Sequence, residues 1–475
     1  MREKTHYDII AIGSGFASSF FLYRYLQTAH ANVRVLILER GTNTGRYTHA
    51  ENSQAGNFTS KNTNKEWLFT IGAGGGSNCW WACTPRFLPN DFNTKQLYGV
   101  GVDWPLTYND LEPYYAEAEN IMSVSGPEYN GFYPRSTPYP QPPHRFSTID
   151  EAIKQQYPEH FFQQPTARAR QPTATRPSCC ASGICHRCPI NAKFMITNDM
   201  PTLFNDPRVE FRTGCQVEEI LHTQNTASGV RMRTLDNKQE TIYSDLVVLG
   251  ANGIFNPFLL MKSGLDHPQL GKGINDQISN YVYVDLDGME GYDGSTSVTG
   301  HGYMLYDGEH RKDYAGCLIE TSNVLRTLRT ERGKYRQRVS LKFIFEDLPQ
   351  KNNSVRIDPN NPEIPEVVFK GYSAYTQRGI DNMKKILPEL LSSLPVEAIH
   401  HQGDKNKTEA HIMSTTAMGR DINSSVVDEN QVHHKIRNLV VVGSSVFPTA
   451  PPPNPTLTLS ALSLRASDKL TGRTK

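Results

Sequence analysis

Cys179, Cys180, Cys185 and Cys188 fall within ten residues, in the run Cys-Cys-Ala-Ser-Gly-Ile-Cys-His-Arg-Cys-Pro-Ile. Thiolates bunched on one short loop could ligate an iron–sulfur cluster, work as redox-active thiols, or bind zinc. Zinc fits least well. Four-cysteine zinc sites usually spread their two pairs over a longer interval, and adjacent cysteines are poor joint ligands. A disulfide pair and plain buried thiols stay open as alternatives. Eight cysteines in 475 residues are too few for a disulfide scaffold.

A second pattern lies near the N-terminus. Gly13-Ser14-Gly15-Phe16-Ala17-Ser18 follows an apolar, β-branched segment at 7–12 and opens a helically spaced one at 16–27. A further apolar run at 33–38 ends at Glu39. The first glycine permits a tight turn, and the second lets backbone approach a pyrophosphate at a helix N-terminus. Glu39 can accept ribose hydroxyls, and Ser18 is small enough to replace a third glycine. The bland alternative is a tight turn, but the strand–turn–helix–strand setting points to a bound dinucleotide.

Positioning these groups takes a mixed architecture. Strand patterns return at 209–212, 218–222, 229–234 and 245–249, and a last one at 438–442 leads to an amphipathic helix at 456–470. Alternating segments such as 340–345 and 355–357 predict an antiparallel sheet between 281 and 395, followed by a helix at about 376–393. Residues 127–178 are rich in proline and lack periodicity, so they read as an excursion over the surface, a candidate lid. The length suggests about three domains or one composite. Lys plus Arg (49) nearly cancel Asp plus Glu (48), which supports neither nucleic-acid binding nor steering of acidic substrates. No apolar stretch approaches a membrane span. The N-terminus turns straight into a strand pattern, so the expectation is a soluble chain without a secretory signal of its own.

Longer motifs extend these readings. The chain resembles the glucose-methanol-choline (GMC) family of FAD oxidoreductases over nearly its whole length. The resemblance rests on the N-terminal βαβ unit, on Gly75-Gly76-Ser77-Asn78-Cys79-Trp80, on Asp103-Trp104-Pro105, and on Val247 to Gly253 with Asn256-Pro257. Its most specific part is the C-terminal block. That block holds His411, Ser414-Thr415, Met418-Gly419, Ser425 to Asp428, Ser445 to Thr449, and Asn454-Pro455-Thr456.

The resemblance implies an α/β fold: a Rossmann-like FAD-binding domain with an interleaved α+β substrate domain built on an antiparallel sheet. The FAD domain would comprise 1–90, 175–280 and 400–475, and the substrate domain 91–174 and 281–399. It also implies that His411 takes the proton of a substrate alcohol while Asn454 orients the hydroxyl. Hydride would pass to the flavin N5. Gly13, Gly15, Ser18 and Glu39 would hold the cofactor's diphosphate and ribose, and Gly75, Gly76, Ser77, Asn78 and Cys79 would run along the flavin. Val217 would touch the adenine, with Ala251, Ser445, Pro455 and Thr456 completing the FAD contacts. The stretch 77–87 is similar to pyranose 2-oxidases, whose flavin-bearing histidine is replaced here by Cys79, so non-covalent FAD is expected.

The cysteine run resembles cluster-bearing bacterial sugar dehydrogenases, with a last gap one residue shorter. It implies Cys179, Cys185 and Cys188, with Cys180 as a spare or fourth ligand, on a [3Fe-4S] or [4Fe-4S] cluster. The expected function is then a sugar or alcohol dehydrogenase passing electrons to an external acceptor, such as a small subunit and a cytochrome. A peroxide-forming oxidase and a flavoprotein without catalysis are the alternatives. The cytoplasm is the default compartment, and the periplasm follows if a signal-bearing subunit carries the chain out.

Overall fold

The computed structural model describes residues 5–42, 57–61, 65–128, 134–325, 328–402 and 408–473. Strand β1 (His6–Ile12) is buried over most of its length, as a strand covered on both faces must be. It pairs in parallel with β2 (Val35–Leu38) on one side and with Gln239–Leu249 on the other. Helix α1 (Phe16–Thr28) connects β1 to β2. Val209–Arg212 extends the sheet beyond β2, again in parallel. On the far side, Gln239–Leu249 serves two partners along its length. Its first half pairs antiparallel with Ala227–Thr234, and its last three residues pair in parallel with Leu439–Val441. Cys215–His222 closes that edge. The C-terminal helix Thr456–Thr471 packs on α1 and on Tyr108–Met122, burying Leu457, Ala461 and Leu464 in the main core.

A second, six-stranded sheet is antiparallel throughout. Its order is Val396–His401, Ile278–Leu286, Arg338–Phe345, Cys317–Ser322, Val298–Leu305 and Phe161–Gln163. Helix Ala374–Leu390 covers it, with Ile380, Met383, Leu387 and Leu390 recurring at helical spacing. The first sheet thus draws on chain before residue 39, from 209 to 249 and after 438. The second draws on 161–163 and 278–401. Among the described residues no helix is long and apolar enough to cross a membrane.

Two expectations are corrected. Ser354–Ile357 does form a strand, but it pairs with Pro365–Val368 in a separate small sheet with Thr59–Ser60. Val355 and Val367 bury against Trp67, Ile254, Ile274, Phe369 and Ile412 in a third core. Alternation identifies a strand; it does not identify the partner.

The proline-rich stretch is not a surface excursion. Within it Ser147 and Asp150 cap the helix Thr148–Gln156 reciprocally. Phe146, Ile149, Ile153 and Phe161 are buried in the core of the second sheet. Prolines at 138–143 mask that short capping signal; residues 129–133 of the stretch lie outside the described set.

Candidate active site

A cavity of about 900 Å³ is lined by residues of both large sheets. Gly13 and Gly15 line it from the first glycine loop, and Gly75 and Gly76 from the second. Gly13 has φ +90°, and a Cβ there would stand 2.6 Å from the Gly250 carbonyl oxygen. Gly75, at φ +51°, presses on Gly15 closely enough that a Cβ would lie 3.0 Å from its Cα. Only glycine tolerates both demands. Gly15 is also the N-cap of α1, which no side chain caps and whose first turn carries no acid. Its leading N–H groups are therefore available to an anion.

Glu39 latches the two glycine loops. Its carboxylate accepts from the N–H groups of Ser14 (3.1 Å), Gly41 (2.9 Å) and Gly72 (3.2 Å) and from the Ser14 hydroxyl (2.7 Å). Burial pushes its carboxyl up from the ordinary range, while these donors pull it back. Val217, Ala251, Pro455 and Thr456 line the same cavity, and so does Cys79, whose Sγ lies 2.8 Å from Thr70 Oγ1.

Four residues expected at the cofactor stand behind the lining and shape it. Ser18 abuts Gly250, where a Cβ would meet its Oγ at 2.2 Å, so its smallness serves helix–strand packing. Ser77 Oγ donates to Gly74 O (2.7 Å) and Asn78 Nδ2 to Ala73 O (2.8 Å), folding the second loop. Ser445 Oγ accepts from Asn256 Nδ2 at 2.8 Å.

His411 lines the cavity too, and it is held twice. Its backbone N–H donates to Asp276 Oδ1 at 3.1 Å, and its Nδ1 lies 2.7 Å from Gln277 Oε1. Asp276 is fully buried, and it also accepts from Lys65 Nζ, Thr408 Oγ1 and the Glu409 N–H. Burial pushes the His411 imidazole below its usual value; Glu409 and Asp276 pull it up, and Lys342 pushes it further down. The net result is a neutral ring near pH 7, the form that accepts a proton. Asn454 lines the cavity, and its buried Oδ1 has no hydrogen-bond partner among the described residues. A buried orphan of this kind marks a group aimed at a ligand.

One wall is a polar row that motifs do not reveal. Tyr281, Lys342 and Glu320 stand side by side on three neighbouring strands, in register, and His301 continues the row on a fourth. The first three line the cavity. Lys342 pairs with Glu409 Oε2 and lies 3.9 Å from Glu320 Oε2. Burial works against the Lys342 charge, but Glu409, Tyr281 and Glu320 outweigh it and hold the ammonium charged. Burial likewise pushes the Glu320 carboxyl up, yet His301 and Lys342 bring it down to about 2. The available signal was a charged residue in the middle of an apolar strand, as in Ser340-Leu341-Lys342-Phe343-Ile344.

The cysteine loop reaches the cavity through His186, which stacks on Trp81 at 6.2 Å between centroids. The four thiols expected as cluster ligands are not gathered into a ligand set. Cys180 is exposed, Cys185 Sγ donates to Ser297 Oγ (3.0 Å), and Cys188 Sγ accepts from the Ala192 N–H (3.3 Å). Among the described residues no group of three or more His, Cys, Asp or Glu could hold a metal ion. Each buried thiol of the loop has a hydrogen-bond partner of its own. As arranged, these residues do not fit a cluster.

Paired glycine loops and an uncapped helix N-terminus in one cavity suit a bound dinucleotide, and His411 stands in the same cavity. Comparison with known proteins gives the family. The GMC oxidoreductase models match at residues 165–279 and 349–463. Among curated proteins, the chain is 26% identical to the fructose dehydrogenase large subunit of Gluconobacter japonicus, covering 84% of this chain and 80% of that one. It is 25% identical to the 6'''-hydroxyparomomycin C oxidase of Streptomyces lividus, covering 97% and 90%. Among solved structures, pyridoxine 4-oxidase from Mesorbium loti superposes with a TM-score of 0.71 at 16% identity, over 98% of this chain and 100% of that one. The chain belongs to the GMC oxidoreductases, and its cavity fits FAD in volume, in backbone conformation and in donor groups.

Proposed function

We propose that the chain is an FAD-dependent dehydrogenase that oxidises a hydroxyl of a sugar or related polyol and passes the electrons to an external acceptor. One observation carries this reading. His411 lines the cavity that the two glycine loops line, with its imidazole pushed below the ordinary value by burial, and Asn454, whose buried Oδ1 has no partner among the described residues, lines it too. The bound FAD supplies a two-electron acceptor for hydride. His411 takes the hydroxyl proton as the C–H bond gives up its hydride and the C–O bond becomes a carbonyl. Through its Nδ2–H, Asn454 orients the same oxygen and stabilises its developing charge. Tyr281, Lys342, Glu320 and Ser322 offer donors and acceptors to further hydroxyls, and the Trp81–His186 stack offers a face for a ring. The likeness to a fructose dehydrogenase subunit supports a sugar substrate and a dehydrogenase.

An oxidase is the second reading, supported by the likeness to the hydroxyparomomycin C oxidase. Anaerobic bleaching of the flavin with a panel of sugars and polyols, followed by air, tests both. Slow reoxidation in air with fast dye reduction is expected; rapid reoxidation would make the protein an oxidase. An absence of bleaching with every alcohol would sink the catalytic reading.

An iron–sulfur exit has one observation in its favour. Arg168 is fully buried beside the Cys83, Cys179 and Cys185 thiols, which places a fixed cation next to the loop. The thiol arrangement opposes it, and no step is routed through the loop. Iron and acid-labile sulfide analysis of anaerobically purified protein decides.

A further inference from the structure

We propose that Gln277 is a positioning residue that sets the tautomer of His411, so that the proton is accepted at Nε2 and nowhere else. This rests on the reading of His411 as the base. Gln277 is fully buried, immediately ahead of the strand Ile278–Leu286. Its amide nitrogen donates to two carbonyl oxygens, Pro451 O and, at 2.8 Å, Pro453 O. A carbonyl oxygen only accepts, so both N–H bonds of the amide are committed there. Turning the amide over would set oxygen against two oxygens. The O/N assignment is thus fixed by chemistry.

The remaining amide atom, Oε1, also only accepts. It lies 2.7 Å from His411 Nδ1, so Nδ1 must carry the hydrogen and donate. In the neutral ring the lone pair is then on Nε2. That atom makes no hydrogen bond with the described residues, and the ring lines the cavity. The opposite tautomer would leave two acceptors facing each other inside the protein, a costly arrangement. A buried acceptor on Nδ1–H performs the same service for other catalytic histidines, where its loss strands the ring in the wrong tautomer.

The segment that fixes Gln277 is also informative. Pro451 to Pro453 run directly into Asn454. One buried amide therefore ties the orientation of the histidine ring to the backbone that carries the second polar group of the site. Asp276, one residue earlier, holds the His411 backbone. Charged groups around the ring are Asp276, Glu409, Lys342 and Glu320, and their influence is on its charge rather than its tautomer.

The test is ¹⁵N NMR of the holoenzyme labelled at histidine, with the His411 signals assigned by their loss in His411→Ala. Above the acid limb, wild type should show a protonated Nδ1 and a bare Nε2; a bare Nδ1 overturns the proposal. In Gln277→Met the signals should move toward mixed tautomers. Anaerobic flavin reduction by the best sugar of a screen should fall on the order of tenfold or more, within the ~10²–10⁴ that a general base supplies, with KM little changed. An unchanged tautomer in Gln277→Met overturns the proposal.

Should that variant not fold, Gln277→Ala is read in the same way, since it also removes the acceptor from Nδ1–H and sets no oxygen against the Pro451 and Pro453 carbonyls. A ring that keeps its hydrogen on Nδ1 in that variant overturns the proposal. Full flavin reduction by His411→Ala would sink the base itself, while leaving the tautomer measurement to stand on its own.

Discussion

Asp276 Oδ1 accepts the backbone N–H of His411 at 3.1 Å, while the other oxygen of the same carboxylate is paired with Lys65. Both side chains are almost wholly buried. Removing one member of a buried pair leaves the other charge uncompensated, at a cost of about 3–5 kcal/mol. Asp276→Asn keeps the shape and removes the charge. It should lower the denaturation midpoint and loosen the 408–411 segment, which thermal unfolding and flavin reduction would report together. Wild-type stability in that variant would show that the pair contributes little.

The pH dependence follows from the ring's surroundings. His411 must be neutral to accept a proton, and its pKa is pushed below the ordinary imidazole value of about 6.5. The rate of flavin reduction should therefore stay level through neutral pH and fall only as pH drops through that lowered value. Stopped-flow reduction across a pH series measures it. A limb above the ordinary value would assign the titration to another group.

Lys342 supplies an independent check on sign. Its charge lowers the His411 pKa, and it also stands between Glu409 and Glu320. Lys342→Met leaves two carboxylates near the ring without their cation. The acid limb should move up, because the imidazolium is then better stabilised. A downward shift would mean that the row does not communicate with the base.

His411→Ala should cost on the order of 10²–10⁴ in turnover with FAD retained, the range for a lost general base. Asn454→Ala should cost less, since it removes a hydrogen bond and not the proton acceptor. These two residues could be named from the chain because they sit in a contiguous C-terminal block whose order is specific. The glycine loops could be named because backbone geometry restricts them to one residue type.

Gln277 and the Tyr281–Lys342–Glu320 row could not. Gln277 meets His411 across 134 positions, and the row exists only through strand register. The same blindness misplaced Ser354–Ile357, whose alternation fits either sheet. The cysteine run is legible as a cluster motif by its spacing alone; among the described residues no group of three or more His, Cys, Asp or Glu could hold a metal ion, and Cys185 Sγ donates to Ser297 Oγ.

The cofactor loop can be tested without a substrate. Gly13→Ala places a methyl 2.6 Å from the Gly250 carbonyl at a backbone angle that alanine resists. The purified variant should lose its blue-region flavin absorption while circular dichroism still reports a folded chain. Full FAD occupancy would show that the loop yields and that the close approach is incidental.

The last expectation concerns how the flavin is attached. Cys79 is the thiol of the second glycine loop, and it lines the cavity. A covalent bond to the ring would need the thiolate, and thiolates are favoured by a neighbouring cation or base. The partners of Cys79 are the Thr70 hydroxyl at 2.8 Å and the Gly76 carbonyl at 3.8 Å, neither of which takes its proton. Acid precipitation should therefore leave a colourless pellet, with about one FAD per chain in the supernatant, as one dinucleotide site requires. A yellow pellet that turns colourless in Cys79→Ser would establish a cysteinyl flavin, and some other group would then have to be found to activate the thiol.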